Sequence, residues 1–267
     1  MRKDVIASAD FSGLAEPDFV ERYWTEVWQR QGTIDGAVAK IPTKPEFRVM
    51  TPYLDALPKG ARIVDGGCGL GDWVVCLKQR GFDVLGIDIS RDTVAILEER
   101  FPDVAFEVGD IRETGLPDAS VDVYFSWGVF EHFEEGLGRC IDEALRILKP
   151  GGHLFITVPF DNIRMSLRAS FGSPGAYREA RDDERFYQWR LTREELAREL
   201  SHGGFEVLDV MPMHKRQGML RSLHHEFGLP YGWLLTRGLA FGLAPVVPGR
   251  VVAHMLMAVA RRPDTDG

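Results

Sequence analysis

Asp65-Gly66-Gly67-Cys68-Gly69-Leu70-Gly71 stands directly between the β-branched run ARIVD (61–65) and a helical pattern that continues through Leu77. Glycines this dense let the chain turn sharply out of a strand, and they leave the backbone bare of Cβ atoms where a ligand must come close. A dinucleotide loop wants G-x-G-x-x-G at such a junction. Counted from Gly67, Asp72 stands where the third glycine belongs. A carboxylate there faces a pyrophosphate at the helix N-terminus, which is electrostatically wrong. That one residue disfavours a nicotinamide-dependent oxidoreductase.

Outward from the loop, short apolar runs alternate with helical patterns, the signature of parallel βαβ units. FDVLGID (82–88), VAFEVGD (104–110), VDVYFSW (121–127) and HLFITVP (153–159) read as further strands, with FEVLDVM (205–211) a sixth and VAHMLMAVARR (252–262) a seventh. TVAILEERF (93–101) reads as a helix, and another is expected over 134–148, stopped by Lys149-Pro150-Gly151-Gly152 and a turn. Thr192 with Glu195 three residues on predicts a capping box, opening a helix that runs to Ser201-His202-Gly203-Gly204. Three segments stand outside the pattern: 1–60, with helices around 17–30 and 45–57; 160–190; and 212–250. With no repeat and no low-complexity linker, the expectation is one domain over 1–267. It has an N-terminal helical cap (1–60), a cofactor-binding core (61–159), a lid insertion (160–190) and a C-terminal part of the core (191–267) interrupted by 212–250.

The loop resembles the first motif of class I S-adenosylmethionine-dependent methyltransferases, D-x-G-x-G-x-G at the end of the first strand. The likeness continues at the expected offsets. Asp88, closing the second strand, matches the acid that accepts from both ribose hydroxyls, and two carboxylate oxygens suit two adjacent donors. Asp110 and Ile111 match the pair at the adenine, and Asp65 the residue near the methionine part. The resemblance places Gly66, Gly67, Gly69 and Gly71 at the cofactor as well, with Ile89 beside Asp88, and Ser126 and Trp127 at the end of the fourth strand. It covers 61–159 and is nearest to the small-molecule (methyltransferase type 11-like) subgroup, which includes quinone, lipid and natural-product enzymes. The implied fold is α/β, a Rossmann-like, seven-stranded, mostly parallel sheet sandwiched by helices. Only its last strand is antiparallel, and S-adenosyl-L-methionine lies across the carboxyl ends of strands one to four.

Methyl transfer is an in-line displacement in which the protein aligns the acceptor and keeps water out. A hydroxyl or ammonium acceptor also needs a base. His132, in Ser126-Trp127-Gly128-Val129-Phe130-Glu131-His132, sits where the family brings cofactor and acceptor together, and a histidine titrating near neutrality is suited to the role. It equally fits as a pocket-lining residue, and Glu131 is the other carboxylate on hand. The Asn/Asp-Pro-Pro-Tyr/Phe sequence typical of enzymes acting on exocyclic or amide nitrogens is absent. Tyr23, Trp24 and Trp28 lie on an N-terminal helix that is either a lid or packs on the sheet. In 160–190, Arg164, Arg168, Arg178, Arg181 and Arg185 stand among aromatics, which suits an anionic or ring-bearing acceptor, but Asp182, Asp183 and Glu184 make a solvated loop an equal reading.

The net charge of −8 argues against nucleic acid as a partner. Residues 211–262 carry seven basic side chains and one acid, a local charge of +6 that leaves −14 for the rest. Their apolar stretch, longest uncharged run 238–249, is too short and Pro/Gly-broken to span a bilayer. It can lie on an anionic membrane surface or wall a pocket. Three cysteines without metal-ligand spacing, and no apolar leader, point to a reducing, cytoplasmic setting with no metal. The acceptor is expected to be a small molecule, lipid-linked or derived from a natural product or sugar. The alternative is a cofactor- or partner-binding protein of the same fold without turnover.

Overall fold

In the computed structural model of the chain, residues 1–7, 14–31, 37–170 and 184–264 are described. The elements in order are β1 (Arg2–Ala7), α1 (Glu16–Gln31), α2 (Pro45–Asp55), β2 (Arg62–Gly66), α3 (Asp72–Gln79), β3 (Asp83–Asp88), α4 (Arg91–Arg100), β4 (Ala105–Val108) and β5 (Val121–Trp127). There follow α5 (Gly138–Ile147), β6 (Leu148–Pro159), α6 (Ile163–Ser170), β7 (Glu184–Arg190), α7 (Arg193–His202), β8 (Glu206–Met213), α8 (Lys215–Phe227), α9 (Leu234–Leu243), α10 (Gly249–Val252) and β9 (Met255–Arg261).

Seven strands form one sheet in the order β4-β3-β2-β5-β6-β9-β8. The pairings from β4 to β6 are parallel, and β9 runs antiparallel to both its neighbours. This is the Rossmann-like sheet with a reversed final strand that the methyltransferase resemblance implies. Its inner strands β2, β3, β5, β6 and β9 are largely buried because helices cover both faces, while the edge strands β4 and β8 are more exposed. Along β5, Tyr124 belongs to the core shared with Ile141 and Leu196 of α5 and α7. Val123 and Phe125 point the other way, into the core shared with Phe47, Trp73 and Leu97 of α2, α3 and α4. Strand β9 alternates likewise, Leu256, Ala258 and Ala260 on one side and Met257 and Val259 on the other. The capping box forms: Thr192 Oγ1 accepts from the Glu195 N–H (3.2 Å) and Glu195 Oε2 from the Thr192 N–H (2.9 Å).

Three sequence expectations are corrected. Segment 1–60 is not purely helical: β1 pairs antiparallel with β7, Arg2 opposite Arg190 and Ala7 opposite Glu184, making a second, two-stranded sheet. Lys149-Pro150-Gly151-Gly152 is not a turn between helix and strand, because β6 already begins at Leu148. Gly151 (φ +77°) bends the strand there, and the register against β5 shifts between Val121 and Val123. Finally α5 starts at Gly138 rather than near Glu134, after a short 3-10 turn over Phe130–His132. Arg178, Arg181, Asp182 and Asp183 lie outside the described residues, as does the Arg168 side chain.

Candidate active site

β2 and β5 are neighbours, yet the chain leaves β2 towards β3 and β4 and resumes at β5 on the opposite side. Such a reversal opens a crevice beyond the carboxyl ends of the strands. A cleft lies there, at the place where open α/β sheets bind their ligands. Its walls are Gly67 after β2, Asp88 and Ile89 after β3, Gly109, Asp110 and Ile111 after β4, and Trp127, Gly128 and Val129 after β5. His132 of the 3-10 turn and Phe133 just after it close one end, and Val20, Trp24 and Trp28 of α1 lie along the cleft.

The loop is pinned to β3, since the N–H groups of Gly67 and Cys68 both donate to the Ile87 carbonyl (2.7 and 2.9 Å). Gly67 holds φ +79°, and a Cβ there would come within 2.5 Å of a Val129 methyl. Asp88 is 4% exposed; its Oδ2 accepts from the Gly69 N–H (2.8 Å) and Oδ1 from the Ser90 N–H (2.9 Å). Burial raises its pKa, and those amides oppose the rise without cancelling it. Each carboxylate oxygen retains acceptor capacity for a ligand in the cleft.

The other expected residues divide. Asp65, Gly66, Gly69 and Gly71 sit behind the cleft wall. Gly66 faces the buried Tyr124 ring so closely that a Cβ would be 2.0 Å from its hydroxyl, and Gly69 faces Trp28. Asp65 is buried, and desolvation, then the carboxylates of Asp72 and Asp88, push its pKa well up. Lys44, 3.8 Å from Asp72, is the cation that opposes this. Three carboxylates with one lysine make surroundings that favour a positively charged ligand. Ser126 is fully buried with its hydroxyl donating to the Gly66 carbonyl (2.6 Å), so it braces the loop and does not line the cleft. Asp110 lines it, but Arg112 clasps its carboxylate through Nε (3.1 Å to each oxygen) and Nη2 (2.7 Å). Burial raises the Asp110 pKa and Arg112 outweighs it, so the group stays ionised. The Trp28 and Trp127 indole nitrogens are buried donors without a partner among the described residues.

Glu131 and His132 depart furthest from their ordinary chemistry. Glu131 is 1% exposed, its Oε2 has no partner, and burial pushes its pKa up to about 8, against its own backbone amide and Arg190. His132 is pushed down to about 4 by burial, which outweighs the carbonyls of Tyr187 and Gly128. This corrects the expectation of titration near neutrality. At pH 7 both are uncharged, so the 3.9 Å between Glu131 Oε1 and His132 Nε2 is no ion pair. A carbonyl only accepts, so the 2.7 Å contact with Tyr187 O puts the proton of His132 on Nδ1 and leaves the lone pair on Nε2. Linkage fixes the sign of the pH effect. Between the ordinary carboxyl value of 4.5 and about 8 the folded protein holds a Glu131 proton that the unfolded chain has released, so this group makes stability fall as pH rises. Between about 4 and 6.5 the unfolded chain binds a His132 proton that the folded one does not, and stability rises. From pH 6.5 to 8 only the Glu131 contribution remains. We expect the denaturation midpoint of the wild type to drop across that window relative to Glu131→Gln; parallel profiles would show Glu131 ionised in the fold.

Residues 64–156 match the family model described as "Methyltransferase domain". Over these residues the chain is similar to methyltransferase domains. Among relatives of the chain, a "probable S-adenosylmethionine-dependent methyltransferase" of Mycolicibacterium smegmatis is 32% identical over 162 residues, covering 60% of this chain and 58% of that protein. The 2-methyl-6-phytyl-1,4-hydroquinone methyltransferase of Synechocystis is 35% identical over 162 residues, 57% of this chain and 50% of that one. The chain thus spans between half and three fifths of the length of these relatives. In fold it resembles phosphoethanolamine N-methyltransferase 2 of Haemonchus contortus in complex with S-adenosyl-L-methionine (TM-score 0.59, 19% identity, 95% of this chain and 61% of that chain). Among the described residues no helix is long and apolar enough to cross a membrane, and no three His, Cys, Asp or Glu side chains are grouped to hold a metal.

Proposed function

We propose that this protein transfers a methyl group from S-adenosylmethionine to a small-molecule acceptor. The observation that carries the reading is Asp88, buried at the end of β3 with both oxygens oriented by the loop amides and facing the cleft. The residues fit the cofactor. Asp88 would accept from the ribose hydroxyls, Ile89, Ile111 and Phe133 would flank the adenine, and the negative surroundings of Asp65 suit an ammonium and a sulfonium. Asp110, whose oxygens already accept from the Arg112 backbone N–H, Nε and Nη2, would share one of these acceptor positions with the adenine amino group. Bound, the cofactor supplies a methyl group on a positively charged sulfur. The protein contributes alignment and dryness, with Trp24 and Trp28 of α1 as the cover; their rings stack at 5.3 Å, and Trp24 meets the His132 ring edge-on at 4.8 Å.

His132 is the proposed base. Its pKa near 4 makes it a poor base towards a resting hydroxyl. A hydroxyl becomes strongly acidic as its oxygen gains a methyl, however, so a neutral Nε2 placed there can take the proton late in the reaction. The reading is tested by calorimetric titration of S-adenosylhomocysteine into the purified chain. Saturable one-to-one binding supports it; no binding to a folded sample overturns it.

The acceptor's setting includes the basic hairpin of α8 and α9. Leu234 (86% exposed), Val246 (74%), Phe227 (71%) and Phe241 (66%) stand in solvent on the segment that also carries Arg216, Arg237 and Arg250, and the Arg216 guanidinium lies 5.3 Å from the Phe241 ring. Apolar side chains this exposed are stable against lipid, and the arginines match anionic headgroups. A peripheral contact with an anionic membrane, and a lipid-linked acceptor, follow as proposals. Co-sedimentation with vesicles of anionic phospholipid is expected at low salt, several-fold weaker for Leu234→Ser/Phe241→Ser and absent with zwitterionic vesicles. Wild-type protein left in the supernatant with anionic vesicles would remove the proposal.

A further inference from the structure

A second, solvent-open cavity abuts the cofactor cleft, sharing Gly128, with Glu131 beside His132 at the junction. Its far walls come from distant parts of the chain: Asp4 of β1, Arg190 of β7, Arg221 of α8 and His254 before β9. Arg190 is matched, its Nε lying 2.6 Å from Asp4 Oδ2, and Gln188 Nε2 donates to the same oxygen at 2.9 Å. Arg221 is half-buried and makes no hydrogen bond or ion pair with any described residue. A guanidinium cannot shed its charge and is costly to withdraw from water without a partner. No other lining group balances it. Glu131 keeps its proton to about pH 8 because it is buried, and His254 is pushed down to about 3 by burial and then by Arg221 and Arg190, so it is neutral. With Asp4 engaged by Arg190, the cavity keeps one unmatched positive charge, fixed on Arg221.

We propose that the acceptor carries an anionic oxygen group, a carboxylate or a phosphate, which pairs with Arg221 in this cavity while the methyl-accepting atom lies at the Gly128–His132 end. The inference rests on the methyl-transfer reading and names the substrate class for it. A planar guanidinium holds either oxyanion through two parallel hydrogen bonds, so both ligands share one recognition chemistry. Arg221 is then a specificity residue: it sets which molecules dock, and it touches neither the cleft walls nor the transferred group.

The test uses the full chain saturated with S-adenosylhomocysteine. Phenyl phosphate and benzoate are titrated separately by calorimetry, with benzyl alcohol as the uncharged control. We expect saturable binding of one or both anions and none of the alcohol; the stronger anion tells phosphate from carboxylate. Arg221→Gln should weaken that binding at least tenfold, Arg221→Lys should retain part of it, and both should bind S-adenosylhomocysteine as the wild type does. Unchanged anion affinity in Arg221→Gln, or equal binding of benzyl alcohol, overturns the anionic acceptor while leaving methyl transfer standing. Failure of the wild type to bind S-adenosylhomocysteine strikes the methyl-transfer reading itself. A melting temperature for each variant separates loss of the pair from loss of the fold.

Discussion

Asp88→Ala should lower the affinity for S-adenosylhomocysteine by a hundredfold or more, about 2.7 kcal/mol. Two losses add. The first is the pair of charge-assisted acceptors offered to the ribose diol, each worth about 1.5–3 kcal/mol where water is excluded. The second is the support of the loop, because the amides of Gly69 and Ser90 would lose their acceptors. Asp88→Asn separates the two: it keeps the shape and one acceptor oxygen, so it should hold the loop better than alanine does. Calorimetry on both variants checks this, with circular dichroism to show that they are folded. An alanine variant within threefold of wild type would mean that the ribose is held elsewhere.

The second large effect is on stability. Gly218 lies on the face of α8 that meets α10, and a Cβ there would fall 1.6 Å from the Val252 carbonyl oxygen and 2.8 Å from its carbon. The obstacle is backbone, so a helix must move. Alanine gains about 1 kcal/mol of helix propensity over glycine, but overpacking of this severity costs about 1–3 kcal/mol or more. Gly218→Ala should therefore melt several degrees lower, at about 2–4 °C per kcal/mol for a chain of this size. Gly238→Ala in α9 is the control: nothing lies within 4 Å of the added methyl, so propensity acts alone and the melting temperature should hold or rise. A Gly218→Ala melt at or above wild type would show that α8 and α10 are not packed this closely.

The parts of the site legible in the sequence are those whose chemistry and periodicity are local. The glycine loop, Asp88 and Ile111 each announce themselves within one strand and its turn, and the structure brings Gly67, Asp88, Ile89, Asp110, Ile111, Trp127 and His132 to one cleft. Ser126 stands apart from the cleft walls because alternation along β5 turns its side chain to the Gly66 carbonyl. The clasp of Arg112 on Asp110 was within reach, since an arginine two residues after an acid can fold back on it. The perturbed titration of His132 was not, because it depends on burial supplied by α1 and β7. Least legible was the second sheet. RKDVIA and ERFYQWR are short and charged at intervals, and nothing local says that each is the other's partner.

That pairing also orders assembly. The glycine-loop cleft draws its strand ends from residues contiguous in the chain, so its floor can be made while later residues are still being synthesised. The cavity containing Arg221 cannot: its walls need Asp4 and His254 together, and β1 has no partner until β7 has emerged. Closing so long a loop is entropically slow and is worthwhile only once the central sheet provides a base. On the proposed methyl-transfer reading, the floor of the cofactor cleft is thus laid down ahead of the walls of the acceptor cavity.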